Sequence, residues 1–407
     1  MRFSLSALSA LPHTTYAMIR TLSAIITLSV GVLSVANAAD MVTFASYQQQ
    51  TRDLINKQRQ FQTEAHTDEV TWNSPAEWRP QTPTNKGVIL VHGLGDSPWS
   101  LVDIGKQLSE QGYLVRSILL AGHGTKPADL INADIDQWRT TLTEQITALR
   151  REVDQIYLGG FSTGANLVTS YAIDHQEIVG LVLFSPAFQV KEPSTWLLPI
   201  ITPFKTWLRA PADGVPQQTA VRYLNTPTNG FLQFYRSSTD VQDKLKRSGF
   251  DRPALLILSE HDSVVDVDSV LDTFMSNFTH PQSRLIWYGN APAEDKIDDR
   301  VLVESDYLPE ERISQFSHMG ILFSPDNPLY GRNGKERLCR NGQEEDIYIQ
   351  CLIAANDDIW YSDWGYREVN RIHARLTFNP YFEWQSELMQ TVLNAANPSL
   401  SQLSSGK

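Results

Sequence analysis

A serine bracketed by glycines, Gly160-Phe161-Ser162-Thr163-Gly164, stands directly behind the apolar run Gln155-Ile156-Tyr157-Leu158-Gly159. Beyond it, Ala165, Val168, Tyr171 and Ala172 recur at helical spacing. A strand, a one-residue apex and a helix that packs back on the sheet leave few architectures open, and the chain is read as an α/β layer. At such an apex the backbone is strained, and the residues two before and two after it crowd together. Gly160 and Gly164 remove the side chains that would collide there.

A second strand lies upstream. Gly87-Val88-Ile89-Leu90-Val91 is uninterrupted and rich in β-branched residues, as a strand buried on both faces of a parallel sheet requires. It runs into His92-Gly93-Leu94-Gly95-Asp96-Ser97-Pro98, a glycine-rich loop whose amides can approach a ligand closely. Leu119-Leu120-Ala121-Gly122-His123-Gly124-Thr125 follows the strand Tyr113-Leu114-Val115. Further strands are expected at Ile178-Val179-Gly180-Leu181-Val182-Leu183-Phe184, Ala254-Leu255-Leu256-Ile257-Leu258 and Arg284-Leu285-Ile286-Trp287-Tyr288.

In this order the pieces resemble the α/β-hydrolase superfamily, and within it bacterial esterases similar to monoacylglycerol lipases. Residues 119–125 match the "pGHG" turn of that group, with Ala121 where proline is usual, and Ser317-His318-Met319-Gly320 matches its "SHMG" loop. The resemblance covers roughly residues 85–320 and the last helix at 382–395. It implies an α/β-hydrolase fold, with a mostly parallel central sheet flanked by helices and a cap inserted over the site. It also implies a serine esterase acting on monoacylglycerol or short to medium-chain monoesters without a cofactor.

Carried onto this chain, the resemblance makes Ser162 the nucleophile, Asp262 the acid and His318 the base, in the chain order of nucleophile-elbow enzymes. The backbone N–H groups of Leu94 and Thr163 become the oxyanion donors. Glu260 and Asp266 are the other carboxylates of the acid loop, and His261 is read as a loop residue. His92 and His123 precede the serine and are read as structural hydrogen-bonders; His13, His66, His175, His280 and His373 are read as surface or packing residues. An amidase or peptidase of the same fold would use the same three residues, whereas a non-catalytic binding protein would not need all three.

The motifs divide the chain into a signal at 1–38, a helical lead-in at 39–80 with a helix around 47–61, core at 81–189, cap at 190–250 and core again at 251–407. That second part carries insertions at 291–311 and 323–378. In the cap, Trp196, Phe204 and Trp207 are expected either to pack it onto the core or to line an acyl or aryl pocket. The acidic stretch 291–311 reads as a surface insertion or a wall of the site mouth.

With 407 residues and 42% hydrophobic content, one large core with accessory segments is within reach. The net charge of −12 argues against nucleic acid and against purely electrostatic attachment to anionic lipid. No dinucleotide, Walker A, H-E-x-x-H, C-x-x-C or calcium-loop spacing occurs, so no metal or cofactor is expected. A small ester is the expected partner; composition carries no signal for an oligomeric state.

Arg20 precedes an apolar run at 22–35 that ends in Ala36-Asn37-Ala38, with small residues where signal peptidase needs them. The run is too short for a comfortable membrane span. An exported protein, periplasmic or extracellular, is expected to begin at Ala39, with Met18 as an alternative start and no stable span in the mature form. In that oxidising setting Cys339 and Cys351 are expected to pair, on an excursion around Asn341-Gly342 that reads as hairpin-like.

Overall fold

A computed structural model describes residues 43–396, so the expected export signal lies outside the described residues. The apolar runs become an eight-stranded sheet in the order β1-β3-β2-β4-β5-β6-β7-β8. Its strands are β1 (Ala76–Trp78), β2 (Lys86–Val91), β3 (Leu114–Ile118), β4 (Gln155–Phe161), β5 (Ile178–Phe184), β6 (Ala254–Ser259), β7 (Arg284–Tyr288) and β8 (Val301–Glu304). Only β1 runs antiparallel to its neighbour; the six other pairings are parallel.

Alternation along β2 shows why the sheet must be covered on both sides. Val88 and Leu90 join one packed layer and Ile89 and Val91 the other, all four buried. The helices that supply the cover and the accessory segments are α1 (Phe44–Gln58), α2 (His66–Asn73), α3 (Val102–Glu110), α4 (Ile135–Leu149), α5 (Thr163–Asp174), α6 (Leu198–Ile201), α7 (Thr228–Ser248), α8 (Val267–Asn277), α9 (Glu345–Ile353) and α10 (Phe382–Asn394). Among the described residues no helix is long and apolar enough to cross a membrane.

Strand order reverses around β2, which pairs with both β3 and β4. Loops leaving the carboxyl ends of β2 and β4 therefore diverge and open a crevice, the place where open α/β sheets put their ligands. The glycine-rich loop and Ser162 lie there.

The lead-in is more than a helix. Thr43 caps α1, accepting the Ser46 N–H at 3.1 Å. The chain then turns extended at Arg59, whose buried guanidinium meets the buried Glu69 at 2.8 Å. The same guanidinium donates to the Gly124 carbonyl at 2.8 Å and the Ala220 carbonyl at 2.6 Å, tying the turn after β3 to the cap. Beyond α2, β1 adds an edge strand inside the segment expected to hold only helix and irregular chain.

Two other expectations are corrected. The stretch 291–311 is not wholly an insertion, because Val301–Glu304 pairs with β7 as the eighth strand. The excursion around Asn341-Gly342 is not a hairpin. Gly342 makes the turn at φ 75°, but the residues after it form α9. Glu345 and Asp346 in its first turn suit the positive helix end. The helix also turns Cys351 inward, where it is disulfide-bonded to Cys339 as expected.

The segment 323–378 carries its own two parallel strands, β9 (Ile359–Ser362) and β10 (Ile372–Arg375). It leaves and rejoins the core at one point. Phe323 and Phe378 are bridged, and the Asn379 N–H donates to the Phe323 carbonyl at 2.9 Å.

Candidate active site

β4 ends at Ser162, which sits at φ 53° and ψ −115°, a left-handed backbone that a non-glycine residue adopts only under constraint. The constraint is visible at its flanks. A Cβ on Gly160 would stand 2.5 Å from the Ala165 nitrogen, and one on Gly164 would stand 2.1 Å from the Val91 oxygen. The β2 loop closes in as well, since a Cβ on Gly93 would lie 3.2 Å from Ser162 Cβ.

Thr163 opens α5, so its N–H belongs to a first turn that has no intrahelical acceptor. Leu94 lies in a turn closed by the Asp96 N–H on the Gly93 carbonyl at 3.2 Å. Two buried imidazoles brace this turn. Gly95 donates its N–H to His123 Nε2 at 3.0 Å, and Leu120 donates to His92 Nε2 at 3.1 Å. Burial pushes His123 down to about 4. Burial, and then its neighbour His123, push His92 well below its ordinary value. Both rings are therefore neutral hydrogen-bonders at neutral pH.

Asp262, fully buried after β6, has both oxygens engaged. Oδ1 accepts the Val264 and Val265 N–H groups at 2.8 and 3.0 Å, and Oδ2 lies 2.6 Å from His318 Nδ1. Burial alone would raise this carboxyl, but the His318 charge, its hydrogen bond and the two amides hold it below its usual range. With Nδ1 occupied, Nε2 is the His318 nitrogen left to act on a substrate or on Ser162. The ring rests on Phe161, the residue before the serine, with centroids 4.9 Å apart. Glu260 and Asp266 are turned elsewhere: Glu260 accepts the Asn290 N–H at 2.6 Å, and Asp266 caps α8 through the Ser269 N–H at 3.2 Å.

The loop that carries His318 is fastened from several sides. Ser185, itself left-handed at φ 39°, donates its hydroxyl to the His318 carbonyl at 3.0 Å. The Ser317 hydroxyl donates to the Leu376 carbonyl at 2.6 Å, and the His318 N–H points at Asp363 Oδ1 at 3.4 Å. Asp363 and Leu376 both belong to the segment 323–378. Sequence reasoning missed Asp363, because nothing local distinguishes it from the other acids around it.

The three cap aromatics differ in burial. Trp196 is 59% exposed and Phe204 89% exposed, with Ile200 beside them also in solvent, while Trp207 is half-buried. Trp196 and Phe204 are not packed into the core. The grip of the cap comes later, from Tyr223, which hydrogen-bonds the Gly95 carbonyl and the Thr125 N–H at 2.6 and 3.0 Å.

Comparison with known proteins adds the following. The family described as serine aminopeptidase, S33, matches residues 82–291. The chain is similar to a thermostable monoacylglycerol lipase of Bacillus sp. (strain H-257), 28% identical over 189 residues that make up 44% of this chain and 71% of that protein. It is also similar to a carboxylesterase of Bacillus subtilis (strain 168), 21% identical over 230 residues, 54% of this chain and 90% of that one. Among solved structures, one from a study of two metagenome-derived lipolytic enzymes is 23% identical with a TM-score of 0.46, covering 53% of this chain and 87% of its own.

Proposed function

The chain belongs to the serine aminopeptidase S33 family of α/β-hydrolases, and from that premise we propose that it hydrolyses carboxylic esters through an acyl-enzyme formed on Ser162. The observation that carries the proposal is the 2.6 Å contact between His318 Nδ1 and Asp262 Oδ2, delivered to the carboxyl edge of the sheet where Ser162 sits on its strained elbow. The similarity to a monoacylglycerol lipase and a carboxylesterase supports esters as the substrate class.

In this reading His318 Nε2 takes the proton of Ser162 as Oγ attacks the ester carbonyl. Asp262 holds the imidazole in the right tautomer and stabilises it as it becomes charged. The Leu94 and Thr163 amides receive the oxyanion, each contributing about 10²- to 10³-fold in rate. The alcohol leaves with the proton from His318, and water completes the cycle by the same roles. No step calls on a cofactor.

The preferred substrates are soluble monoesters of short to medium acyl chains. The test is labelling by a fluorophosphonate probe together with turnover of p-nitrophenyl esters and monoacylglycerol. Ser162→Ala should abolish both; turnover that survives it, or efficient hydrolysis of a triolein emulsion, would overturn the reading. The family description favours one alternative, cleavage of an amino-terminal amide. A prolyl amide turned over faster than a glycerol monoester would establish it.

Export is proposed alongside. The paired cysteines suit an oxidising compartment, and Ala36-Asn37-Ala38 supplies a cleavage site. Exported material whose first residue is not Ala39 would refute that site.

A further inference from the structure

Two consecutive residues after β6 make opposite halves of two acid–imidazole pairs. Asp262 Oδ2 meets His318 Nδ1 at 2.6 Å, and His261 Nδ1 meets Asp306 Oδ2, also at 2.6 Å. The second pair has no part in the proton transfers above. Its carboxylate nonetheless reaches both loops of the first. The same Asp306 oxygen accepts the N–H of Phe316, two residues before His318, at 3.2 Å. One buried oxygen thus joins the neighbour of the acid to the stem of the base loop.

Asp306 is well placed to hold such a junction. It follows β8, whose Glu304 carbonyl accepts the Gly289 N–H at 2.9 Å. The preceding Ser305 carbonyl accepts the Tyr381 hydroxyl at 3.0 Å. Just beyond, Leu308 and Ile313 bridge and close the chain back toward Phe316. Phe316 is fully buried, and its carbonyl accepts the Ser259 hydroxyl at 3.0 Å, so the stem of the base loop is held by the end of β6 through its carbonyl and by Asp306 through its N–H. Glu260 Oε2 accepts both Asn290 amides. Its carboxylate stays within 4.8 Å of the His261 and Asp306 side-chain atoms and adds negative charge beside His261, without replacing Asp306 as its hydrogen-bond partner. The hydrogen bond to Asp306 pushes the His261 imidazole up from its ordinary value against the opposing effect of burial, which strengthens the pair as a charged contact.

We propose that Asp306, working with His261, is a positioning residue that sets the distance between Asp262 and His318. The proposal rests on the reading of Ser162, His318 and Asp262 as the reacting residues. It also gives the acidic stretch after β7 a role, because β8 brings one particular carboxylate under the base loop.

Loss of this junction should let His318 drift while leaving the substrate site intact, so kcat should fall and KM should not. Asp306→Ala is expected to lower kcat by about 10²-fold, the scale of a misplacement near one ångström, with KM for a p-nitrophenyl ester within about twofold. Asp306→Asn keeps an acceptor for Phe316 and should recover part of that loss. His261→Gln, which can still donate, should outperform His261→Ala. The double variant His261→Ala/Asp306→Ala should be no slower than Asp306→Ala alone, because the two residues act as one unit.

Wild-type kcat in folded Asp306→Ala, while Ser162→Ala is inactive, would overturn the junction alone. So would a loss shared equally by the Ala and Asn variants. Should Asp306→Ala fail to fold, the His261 pair decides: a deficit in His261→Ala restored by Gln supports the proposal, and equal activity of His261→Ala and wild type refutes it. Turnover that survives Ser162→Ala would overturn the proposal together with the reading beneath it.

Discussion

The cap and the segment 323–378 are both extra to the sheet, yet they are built in opposite ways. The first part of the cap is tied to the acid loop at Val190 and Lys191 but then leaves Trp196, Ile200 and Phe204 in solvent, and its packing on the core comes from Tyr223 and α7. The later segment buries Cys339, Cys351, Ile359, Tyr361, Ala374, Leu376 and Phe378 in the same layer as Val88 and Leu90 of β2. It is cross-linked, and it puts Asp363 against the His318 backbone. Apolar area that stays wet contributes nothing to folding, whereas the same area in a shared core contributes about 25 cal/mol per Å². The difference teaches that one exposed stretch of the cap, around Trp196 to Phe204, is not committed to the core, whereas the later segment is committed to it and braces the base.

The sharpest way to probe the second half of that contrast is to disable what the segment supports. Asp262→Asn should lower turnover by about 10⁴-fold if tautomer control works as in serine proteases, measured as kcat/KM on a p-nitrophenyl ester. Activity near wild type would mean that the packed segment guards a pair that does no work.

Next in size is the cross-link. Cys339→Ser should lower unfolding free energy by about 3 kcal/mol on the chain-entropy estimate for so small a ring, read from denaturant midpoints. Turnover should fall with it. Asn341, two residues from Cys339, donates its side-chain amide to the Asp363 carbonyl at 3.0 Å. A variant less stable but fully active would show that the segment stabilises without serving His318.

The attached part of the cap has its own test through Asp96. Burial raises this carboxyl to about 6, while Arg222 of the cap, the Ser97 amide and His318 oppose the rise. The native state therefore holds the proton to higher pH than the unfolded chain. Stability from this group is greatest below its ordinary range and is lost as pH climbs toward 6, by up to about 3 kcal/mol. Asp96→Asn should raise the denaturant midpoint at pH 7 to 8 and flatten that slope. An unchanged slope would mean that the cap grips without electrostatic strain.

The smallest effects belong to the exposed face. Trp196→Ala and Phe204→Ala should move stability by no more than about 0.5 kcal/mol. Their effect on kcat/KM should grow with acyl chain length, because only longer chains extend toward the cap. A Tm drop as large as that of a core truncation would erase the contrast between the two insertions.

What could be read beforehand follows the same physics. β2, β4, β5, β6 and β7 announce themselves because a strand buried on both faces is written as an unbroken apolar run. β1 and β8 are edge strands of three and four residues with a charged side chain in each, and only their neighbours make them strands. At the site, Ser162 was legible through its glycines, and Asp262 and His318 through short motifs beside recognisable strands. Asp306 and Asp363 were not, because each meets its partner across 45 residues of chain. α9 reads as strand because its isoleucines favour strands, whereas the acidic first turn suits a helix start.

The joint at Phe323 and Phe378 has a consequence for how the base loop is held. The chain departs and returns through bridged neighbours, so the whole segment lies between the base loop and α10 without interrupting any strand of the eight-stranded sheet. A protein closed across that joint by a short turn would keep its nucleophile elbow, its acid and its β8. It would lose the Leu376 carbonyl and the Asp363 carboxylate that hold Ser317 and His318. A segment that the sheet topology does not need thus shares with Ser185, Ser259 and Asp306 the holding of one loop, and without it that loop would keep those three anchors.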